Sequence, residues 1–299
     1  MRSALFAAGL AIAGGASAQT LLPDGVAFGQ PEAQVASVLA EQCQDVVRKA
    51  PADTTFPVAE ASEVHLLCKG LTLAGSEIRP DTIYTFADDA LVMIEARGAA
   101  DVLAPAPEPA MQMEVFDVFA DQGVVINRER DQTWYFGDIN LANQFIFWDN
   151  PVWVGGDGVA DSTWFLPPEA VWGESAESVM AALEEKCGLM SHRPIDQVWL
   201  RTAPAAQQQV DCYGYEIAGY PRKLEFVFGD DRLEQIWLMF GPADIARTRD
   251  HFSGEFGAPI HVGDILEAFE GWHVAIRKDT PEILMLSPQE AELWERDGY

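Results

Sequence analysis

The sequence predicts an α+β protein built from two homologous tandem repeats, each with helices packed on an antiparallel sheet and one internal disulfide. The stretch from Phe28 to Cys43 (FGQPEAQVASVLAEQC) recurs as the stretch from Trp172 to Cys187 (WGESAESVMAALEEKC). Internal similarity of this kind indicates that one structural unit has been duplicated. In both halves a helical hydrophobic period is followed by hairpin patterns, and this combination defines the α+β class.

The beginning of the chain is typical of a secretory signal peptide. Arg2 supplies a positive charge, an apolar stretch of small residues follows, and Ala16-Ser17-Ala18 matches a cleavage site. The apolar stretch is shorter than the roughly 20 residues that a membrane-spanning helix needs. No cysteine stands at the cleavage point to carry a lipid. We expect residues 1–18 to be a signal peptide and the protein to be periplasmic or secreted, without a membrane span and not as a lipoprotein.

The register of the duplication extends far beyond the first helix. At the offset that brings Cys43 onto Cys187, five identities fall within the two quoted stretches: Gly29/Gly173, Val35/Val179, Leu39/Leu183, Glu41/Glu185 and Cys43/Cys187. Further aligned stretches are Cys68 to Gly75 with Cys212 to Gly219 and, after the loss of two residues, Phe86 to Ile94 with Phe228 to Ile236. We therefore expect repeat 1 to span 19–163 and repeat 2 to span 164–299.

Each repeat is predicted to begin with an amphipathic helix. Apolar residues recur there at three- and four-residue steps, as in a helix with one buried face: Val35, Val38, Leu39, Cys43, Val46 and Val47 in repeat 1, and Val179, Ala182, Leu183 and Cys187 in repeat 2. Pro31 suits the first turn of the first helix, and Ser175 suits the N-cap of the second.

A cysteine-bearing strand and two hairpins follow in each repeat. The first hairpin turns at Asp88-Asp89 in repeat 1 and at Asp230-Asp231 in repeat 2, between alternating apolar residues. A less regular helix comes next, and then a second hairpin: 123–127 with 133–136, and 272–276 with 283–286. Residues 143–154, which lack a counterpart in repeat 2, predict an extra hairpin with Asn150-Pro151 at its turn.

Four cysteines allow three pairings, and the duplication selects one of them. Each repeat carries one cysteine on the helix and one on the following strand at the same separation, so that an ancestral unit with one bridge explains both pairs. We expect the disulfides Cys43–Cys68 and Cys187–Cys212, which suit an oxidising compartment. A catalytic or metal-binding set of thiols is disfavoured because the sequence has no Cys-x-x-Cys, and His65, near Cys68, has no counterpart in repeat 2.

The charge balance is strongly acidic. The chain has 19 basic and 47 acidic residues, a formal net charge of −28 at pH 7. Such a charge repels the phosphates of nucleic acids and anionic lipids, so that neither is expected as a partner. It would attract a basic protein or a cation. Solubility in a salty medium explains the same composition.

Recognisable catalytic motifs are missing from the sequence. The five histidines show no metal-ligand spacing on a helix, and the two Asp-Asp pairs occupy turns rather than a catalytic dyad. We therefore predict no catalytic residue, no metal and no cofactor.

Differences between the repeats point to a candidate binding face. If Ile236, Leu238 and Phe240 form one face of their strand, Trp237 and Met239 lie on the other face, where repeat 1 has Glu95 and Arg97. Tyr213 likewise replaces Lys69. This face is predicted to be polar in repeat 1 and aromatic in repeat 2, and aromatic residues and methionine are enriched where proteins bind proteins. The candidate partner-binding residues are thus Tyr213, Trp237 and Met239. The alternative is that this face packs against the other repeat or the extra hairpin.

Tandem repeats with an initial helix, a Gly-x-x-x-x-x-Val motif (Gly29 to Val35, Gly173 to Val179), an antiparallel sheet and one disulfide per copy resemble the exported β-lactamase-inhibitory proteins. More distantly, they resemble the periplasmic BamE-like assembly modules. The repeats here are longer and their cysteines are further apart. The resemblance implies a sheet face that grips another exported protein.

The leading hypothesis is therefore an exported protein-binding, inhibitor-like or envelope accessory module. The alternatives are an extracytoplasmic enzyme and a binder of a small ligand or cation in the cleft between the repeats. A deep polar pocket between the repeats would favour the alternatives, and an exposed apolar patch around Trp237 would favour protein binding.

Overall fold

The computed structural model describes residues 21–51, 56–73, 76–105, 108–154 and 167–297. The predicted signal peptide and the predicted boundary between the repeats lie outside these ranges. Repeat 1 contains α1 (Glu32–Gln42), β1 (Asp45–Lys49), β2 (Glu63–Lys69), β3 (Asp81–Ala87), β4 (Ala90–Arg97), α2 (Ala100–Leu103), β5 (Met111–Met113), β6 (Phe116–Phe119), β7 (Val124–Asn127), β8 (Gln132–Phe136), α3 (Ala142–Phe145) and α4 (Pro151–Val154). Repeat 2 contains α5 (Ala176–Leu183), β9 (Leu189–Ile195), β10 (Gln207–Ile217), β11 (Tyr220–Gly229), β12 (Arg232–Met239), α6 (Asp244–Phe256), β13 (His261–Val262), β14 (Leu266–Phe269), β15 (Val274–Arg277), β16 (Glu282–Leu286) and α7 (Pro288–Asp297).

The strands form two eight-stranded antiparallel sheets of identical topology. The strand order is β1-β2-β3-β4-β8-β7-β6-β5 in sheet 1 and β9-β10-β11-β12-β16-β15-β14-β13 in sheet 2. Each repeat thus contributes one complete sheet, and in both sheets the fourth strand of the repeat pairs with the eighth. The predicted α+β fold with two repeats is confirmed.

Backbone hydrogen bonds recur at equivalent positions and explain the glycine that the two first helices share. Gly29 N donates to Leu91 O at 2.8 Å, and Gly173 N donates to Leu233 O at 3.0 Å. Both glycines have positive φ, 82° and 81°, which a residue with a Cβ adopts only with strain. The Gly-x-x-x-x-x-Val motif therefore fixes the chain that enters each helix against the fourth strand of its sheet.

The predicted first hairpins and both disulfides are confirmed. Asp88-Asp89 and Asp230-Asp231 each have positive φ at both residues, the backbone of a two-residue turn that matches the twist of its strands. Aspartate tolerates this conformation better than most residues because its short side chain bonds the local backbone. Cys43 is bonded to Cys68, and Cys187 to Cys212, each pair separated by 25 positions.

The first helix is shorter than its hydrophobic period predicted. α1 ends at Gln42, Cys43 has an extended backbone (φ −104°, ψ 153°), and Val46 and Val47 lie on β1, which pairs with β2. The disulfide from Cys43 to Cys68 ties the end of α1 to β2, so that the chain turns back there and continues as the edge strand. In the sequence, Val46 and Val47 fit the end of an apolar helical stripe as well as they fit a short strand.

The two helix N-termini differ slightly from the prediction and from each other. Pro31 is the N-cap of α1 rather than a residue of its first turn. Ser175 is the N-cap of α5 as predicted, and its Oγ accepts a hydrogen bond from Ser178 N at 3.2 Å.

The predicted extra hairpin at 143–154 is wrong. This stretch forms α3, a turn and α4. Asn150 caps α4, because its side-chain oxygen accepts from Val152 N at 3.0 Å and its carbonyl accepts from Trp153 N at 2.9 Å. Asparagine followed by Pro151 is a signal for a helix start as well as for a turn, and here the helix start prevails.

Each sheet buries one face in the core of its own repeat. Val35 and Leu39 of α1 belong to the same buried cluster as Cys68 and Tyr84 of sheet 1. The equivalent cluster of repeat 2 includes Val179, Leu183, Cys212, Phe226 and Ile236. In each repeat, the strand that carries the second cysteine and both strands of the first hairpin contribute side chains to this cluster.

A third buried cluster joins the two repeats. Phe56, Phe145 and Trp148 of repeat 1 pack with Tyr213 and Tyr220 of repeat 2. The ring centroids of Phe56 and Phe145 are 5.0 Å apart, and the rings of Trp148 and Tyr220 stack at 6.3 Å. The same cluster includes Met93 and Trp134, on the face of sheet 1 that points away from the core of repeat 1. We call this the back face of the sheet. The two repeats therefore share a buried core.

Replacement of Gly241 by alanine should destabilise the docking of the repeats. A Cβ at Gly241 would overlap the carbonyl group of Pro57 in repeat 1, and Ala243 N donates to that carbonyl oxygen at 3.1 Å. Overpacking against backbone typically costs about 1–3 kcal/mol, and we expect that loss in the free energy of unfolding measured in urea. Gly254→Ala is the matched control, because nothing lies within 4 Å of its added Cβ, and this substitution in α6 should stabilise by about 0.5–1 kcal/mol. Equal stabilities for the two variants would contradict the prediction.

Candidate binding surface

Four residues form a row across the first four strands of sheet 2. Asp211 on β10 is paired with Ser191 on β9 and with Glu225 on β11, and Glu225 is paired with Trp237 on β12. The next residue, Cys212, points into the core of repeat 2, so the row lies on the opposite face, because successive side chains alternate. Strands lie about 4.8 Å apart, which makes the row about 14 Å long. We call these four residues the repeat 2 row.

Two cations lie beside the repeat 2 row. Lys223 Nζ is 2.5 Å from Glu225 Oε1 and 3.5 Å from Asp211 Oδ1, and Arg193 Nε is 3.7 Å from Asp211 Oδ2. Burial lowers the pKa of Lys223, but the two carboxylates outweigh burial and hold the pKa above its ordinary value. Lys223 therefore stays charged. Arg193, with 52 % of its side chain exposed, is the cation that solvent and a partner can reach.

The structure brings the three predicted binding residues onto one sheet face but covers two of them. Tyr213 and Met239 are each only 8 % exposed. Tyr213 lies in the aromatic cluster between the repeats, and Met239 lines a cleft there with Gln144 of repeat 1. Trp237 is half-buried beside α7 and lies in the repeat 2 row. The alternative left open by the sequence, packing against the other repeat, describes the surroundings of Tyr213 and Met239.

The equivalent row of repeat 1 differs from the predicted polar face. It consists of Val47, Leu67, Ile83 and Glu95, paired in the same order across β1 to β4. Three of the four are apolar, whereas repeat 2 has Ser191, Asp211 and Glu225 at those positions. The description "polar in repeat 1, aromatic in repeat 2" is therefore wrong for the row as a whole. Single strands do not reveal this difference, because the row becomes visible only when the strand register is known.

The fourth position of the repeat 1 row is a fully buried carboxylate. Glu95 Oε1 accepts hydrogen bonds from Trp153 Nε1 at 2.6 Å and from Gln132 Nε2. Burial raises the pKa of Glu95 to about 7, against the opposing effects of Arg97 and these two donors. Arg97 lies over the ring of Trp153, 4.9 Å from its centroid. The start of α4 thus covers the back face of sheet 1.

The two rows also differ in exposure at their central strands. Ile83 and Glu95 of repeat 1 are fully buried, whereas Glu225 retains 23 % of its side-chain exposure and Trp237 is half-buried. In repeat 1 the exposed end of the row lies instead at the sheet edge, where Val47 is 43 % exposed. The repeat 2 row is therefore more accessible than the repeat 1 row on the third and fourth strands.

A loop between β9 and β10, residues 196–206, is held on the face of sheet 2 that carries the repeat 2 row, because side chains alternate along β10 and Gln207 shares a face with Asp211. Gln207 Oε1 accepts hydrogen bonds from Trp199 N at 3.0 Å and Leu200 N at 3.1 Å, and Glu290 of α7 accepts from Thr202 N at 2.9 Å. The loop is thereby fixed to both β10 and α7. Trp199 is nevertheless 47 % exposed, which is unusual for so large an apolar side chain.

A small cleft does lie between the repeats, at Met239. Its volume is about 100 Å³, and its polar lining includes Asp138, Asn143 and Glu282. Sites for small molecules usually measure about 300–1,000 Å³. This cleft is therefore smaller than the deep pocket between the repeats that would favour a ligand or substrate.

Repeat 1 contains a carboxylate, a histidine and a hydroxyl in line. Glu63 Oε1 is 2.7 Å from His65 Nε2, and His65 Nδ1 is 3.0 Å from Thr85 Oγ1. A hydrolase triad has this order of groups. All three residues are buried and Asn150 lies against them, so that a substrate cannot reach the hydroxyl. The group serves as a buried polar network under α4.

Two ionisable side chains beside the repeat 2 row, Lys223 and Tyr213, both keep their protons. An amine that acts as a base needs a lowered pKa, and that of Lys223 is raised. Burial also raises the pKa of Tyr213, which keeps its hydroxyl protonated. In the described ranges, no three His, Cys, Asp or Glu side chains are placed to hold a metal ion, and no helix combines the length and apolar character needed to cross a membrane.

Comparison with protein-family models, with curated proteins and with solved structures finds no match.

Proposed function

We propose that the protein is an exported binding module that grips another protein with the repeat 2 row and the adjoining loop 196–206. The observation that carries this proposal is the exposure of Glu225 and Trp237 on central strands, where the equivalent residues of repeat 1 are fully buried. Two disulfides in a chain of this size support an oxidising compartment outside the cytoplasm.

The composition of the surface suits a protein partner. Trp237, Trp199 and Arg193 belong to the two residue types that most often dominate the energy of protein interfaces. The charged pair of Lys223 and Glu225 lies between Trp237 and Arg193. This pair would fix the register of a partner by complementary charges. The likeness to β-lactamase-inhibitory proteins, which grip their target with a sheet face, agrees with this arrangement.

The enzyme alternative receives less support from the described residues. The hydroxyl with a histidine beside it is buried, and the Lys223 amine beside the repeat 2 row is held in its charged form. Neither group is activated and accessible at once, which nucleophilic catalysis requires.

Photo-crosslinking tests the proposed surface. A photoreactive residue at position 193 or 199 of the oxidised protein should link to one and the same protein from envelope and medium fractions. A photoreactive residue at position 184, exposed at the end of α5, is the control and should give no such product. Products of equal yield from all three positions would contradict the proposal.

Substitution should then weaken the captured complex. Arg193→Ala with Trp199→Ala should reduce its affinity at least tenfold, since interface tryptophan and arginine residues often contribute about 2 kcal/mol or more each. The control removes one exposed apolar side chain and one exposed guanidinium elsewhere in repeat 2, with Val262→Ala and Arg296→Ala. An unchanged affinity in the first variant, with its folding intact, would contradict a role for this surface.

A further inference from the structure

A second cleft lies in repeat 2, beside the N-terminus of α5 and apart from the repeat 2 row. Its volume is about 460 Å³, within the range of sites that bind small molecules or single side chains. The lining includes the carboxylates of Glu177, Asp230 and Asp231, together with His192 and Gln208. None of the residues that line it in the described chain is a lysine or an arginine.

Repeat 1 shows what the duplicated frame holds at this position. Arg48 and Glu32 form an ion pair there, with Arg48 Nε 2.6 Å from Glu32 Oε1 and Arg48 Nη2 3.0 Å from Glu32 Oε2. The guanidinium therefore lies against the first turn of α1. The pair is on the surface, since 53 % of the Arg48 side chain is exposed.

Strand register and hydrogen bonds establish that the two positions are equivalent. Glu32 N donates to Asp89 Oδ1 at 2.9 Å, and Ala176 N donates to Asp231 Oδ1 at 3.1 Å. Arg48 is paired with Leu66 in sheet 1, as His192 is paired with Val210 in sheet 2. Repeat 2 thus has alanine in place of the glutamate and histidine in place of the arginine.

These two substitutions shorten both side chains and remove the internal cation, which opens the cleft. The hairpin carboxylates remain, and Glu177 adds another at the first turn of α5. The amide of Gln208 donates to Asp231 Oδ1 at 2.7 Å, and its oxygen is 3.0 Å from His192 Nε2. The lining is therefore anionic and rich in acceptors, with apolar walls from Ala176 and its neighbours.

We propose that this cleft binds an alkylguanidinium or alkylammonium group in the place that Arg48 occupies in repeat 1. The group can belong to a free small molecule or to an arginine or lysine side chain of another protein. An anion is disfavoured although a helix begins here, because Ser175 and Asp231 already accept from the first N–H groups of α5 and three carboxylates would repel it. The inference does not depend on the repeat 2 row.

Titration with agmatine, which carries a guanidinium and an ammonium group on one short alkyl stem, tests the proposal directly. Calorimetry and NMR of the oxidised protein at low salt should show saturable binding to one site, with shifted side-chain signals of Gln208 and His192. We expect a dissociation constant of about 1 mM, because exposed ion pairs are weak, and a loss of affinity in added salt. Butanol at the same concentrations should cause no such shifts. Absence of saturable binding below about 10 mM would overturn the proposal.

A variant that restores the arrangement of repeat 1 provides the specific test. Ala176→Glu with His192→Arg should fill the cleft from within and weaken agmatine binding at least tenfold. Glu177→Gln, which alters an exposed residue, should weaken it severalfold and serves as the test if the double variant does not fold. The control Glu184→Gln/Glu185→Gln removes two exposed charges elsewhere and should leave the affinity unchanged within twofold. Equal affinity in all variants would show general attraction to an acidic protein and overturn the proposal.

A short peptide, acetyl-Gly-Arg-Gly-amide, distinguishes the two sources of the group. Butylguanidinium carries the same single charge as the peptide and is the small molecule for this comparison. If the peptide binds more tightly than butylguanidinium, the cleft accepts a side chain of a protein, and if butylguanidinium binds more tightly, it accepts a free small molecule. Because both probes are small, these outcomes are independent of the crosslinking experiment on the repeat 2 row.

Discussion

Replacement of Glu95 by glutamine should stabilise the protein at pH 8 by about 3 kcal/mol and leave its stability at pH 4 unchanged. Burial raises the pKa of Glu95 to about 7 from its ordinary value of 4.5. A pKa that differs by 1 between the folded and the unfolded protein corresponds to about 1.36 kcal/mol. Glutamine has the same shape and still accepts from Trp153 and Gln132, but it has no charge to desolvate.

The direction of the pH dependence follows from where the proton is bound. Between pH 4.5 and 7 the folded protein retains the proton of Glu95 and the unfolded chain releases it. The contribution of this group to stability is therefore fully present below about pH 4.5 and is lost as the pH rises through 7. Above pH 7 the folded state carries a buried charge that the unfolded chain exposes to water.

Urea unfolding of wild type and variant at several pH values measures this effect. The difference between the two proteins isolates Glu95, because all other carboxylates titrate in both. Glu41→Gln, which changes an exposed residue of α1, is the control and should shift stability by the same small amount at every pH. A Glu95→Gln difference that stays flat from pH 4 to pH 8 would contradict a raised pKa of Glu95 in the folded protein.

Much of the fold could be predicted because the duplication supplied a second example of each pattern. Asp88-Asp89 and Asp230-Asp231 predicted two hairpins that either copy alone would have left ambiguous, and both are present. The cysteine pairing followed from the same logic. Where one copy stood alone, as in 143–154, the prediction of a hairpin was wrong, because Asn150-Pro151 begins a helix as readily as it makes a turn.

Very short elements and a highly charged helix could not be predicted from the sequence, for physical reasons. β13 has two residues, and α7 carries four exposed charged residues around a buried stripe of Glu290, Ala291 and Trp294. Such a helix is stable only because it packs on sheet 2, so that its own sequence gives little sign of it. The periodicity at Val46 and Val47 could not distinguish the end of α1 from a short edge strand.

The candidate surface was only partly predictable. Alternation within β12 predicts that Trp237 lies on the face opposite Ile236, but only the strand register brings Asp211 and Glu225 into one row with it. Which part of that face remains open depends on contacts distant in sequence. Trp148 covers the end near Tyr213, and α7 covers the side beyond Trp237.

Removal of either disulfide should lower the free energy of unfolding by about 3.5 kcal/mol, and by nearly the same amount in the two repeats. Each disulfide closes a loop with the same separation of 25 positions, so the entropy that it removes from the unfolded chain is the same in the chain-entropy model. The double variants Cys43→Ala/Cys68→Ala and Cys187→Ala/Cys212→Ala measure the two contributions separately in urea.

The shape of the transition carries as much information as its midpoint. The aromatic cluster of Phe56, Phe145 and Trp148 with Tyr213 and Tyr220 is shared by the two repeats, so neither can unfold without exposing apolar surface of the other. We therefore expect one transition in the wild type and in both variants, seen alike by tryptophan fluorescence and circular dichroism. Reduction of the wild type should reproduce the sum of the two losses, since the disulfides are independent covalent links. If instead each variant shifted only one of two separate transitions, the shared cluster would not couple the repeats, and the stability of each would depend on its own core alone.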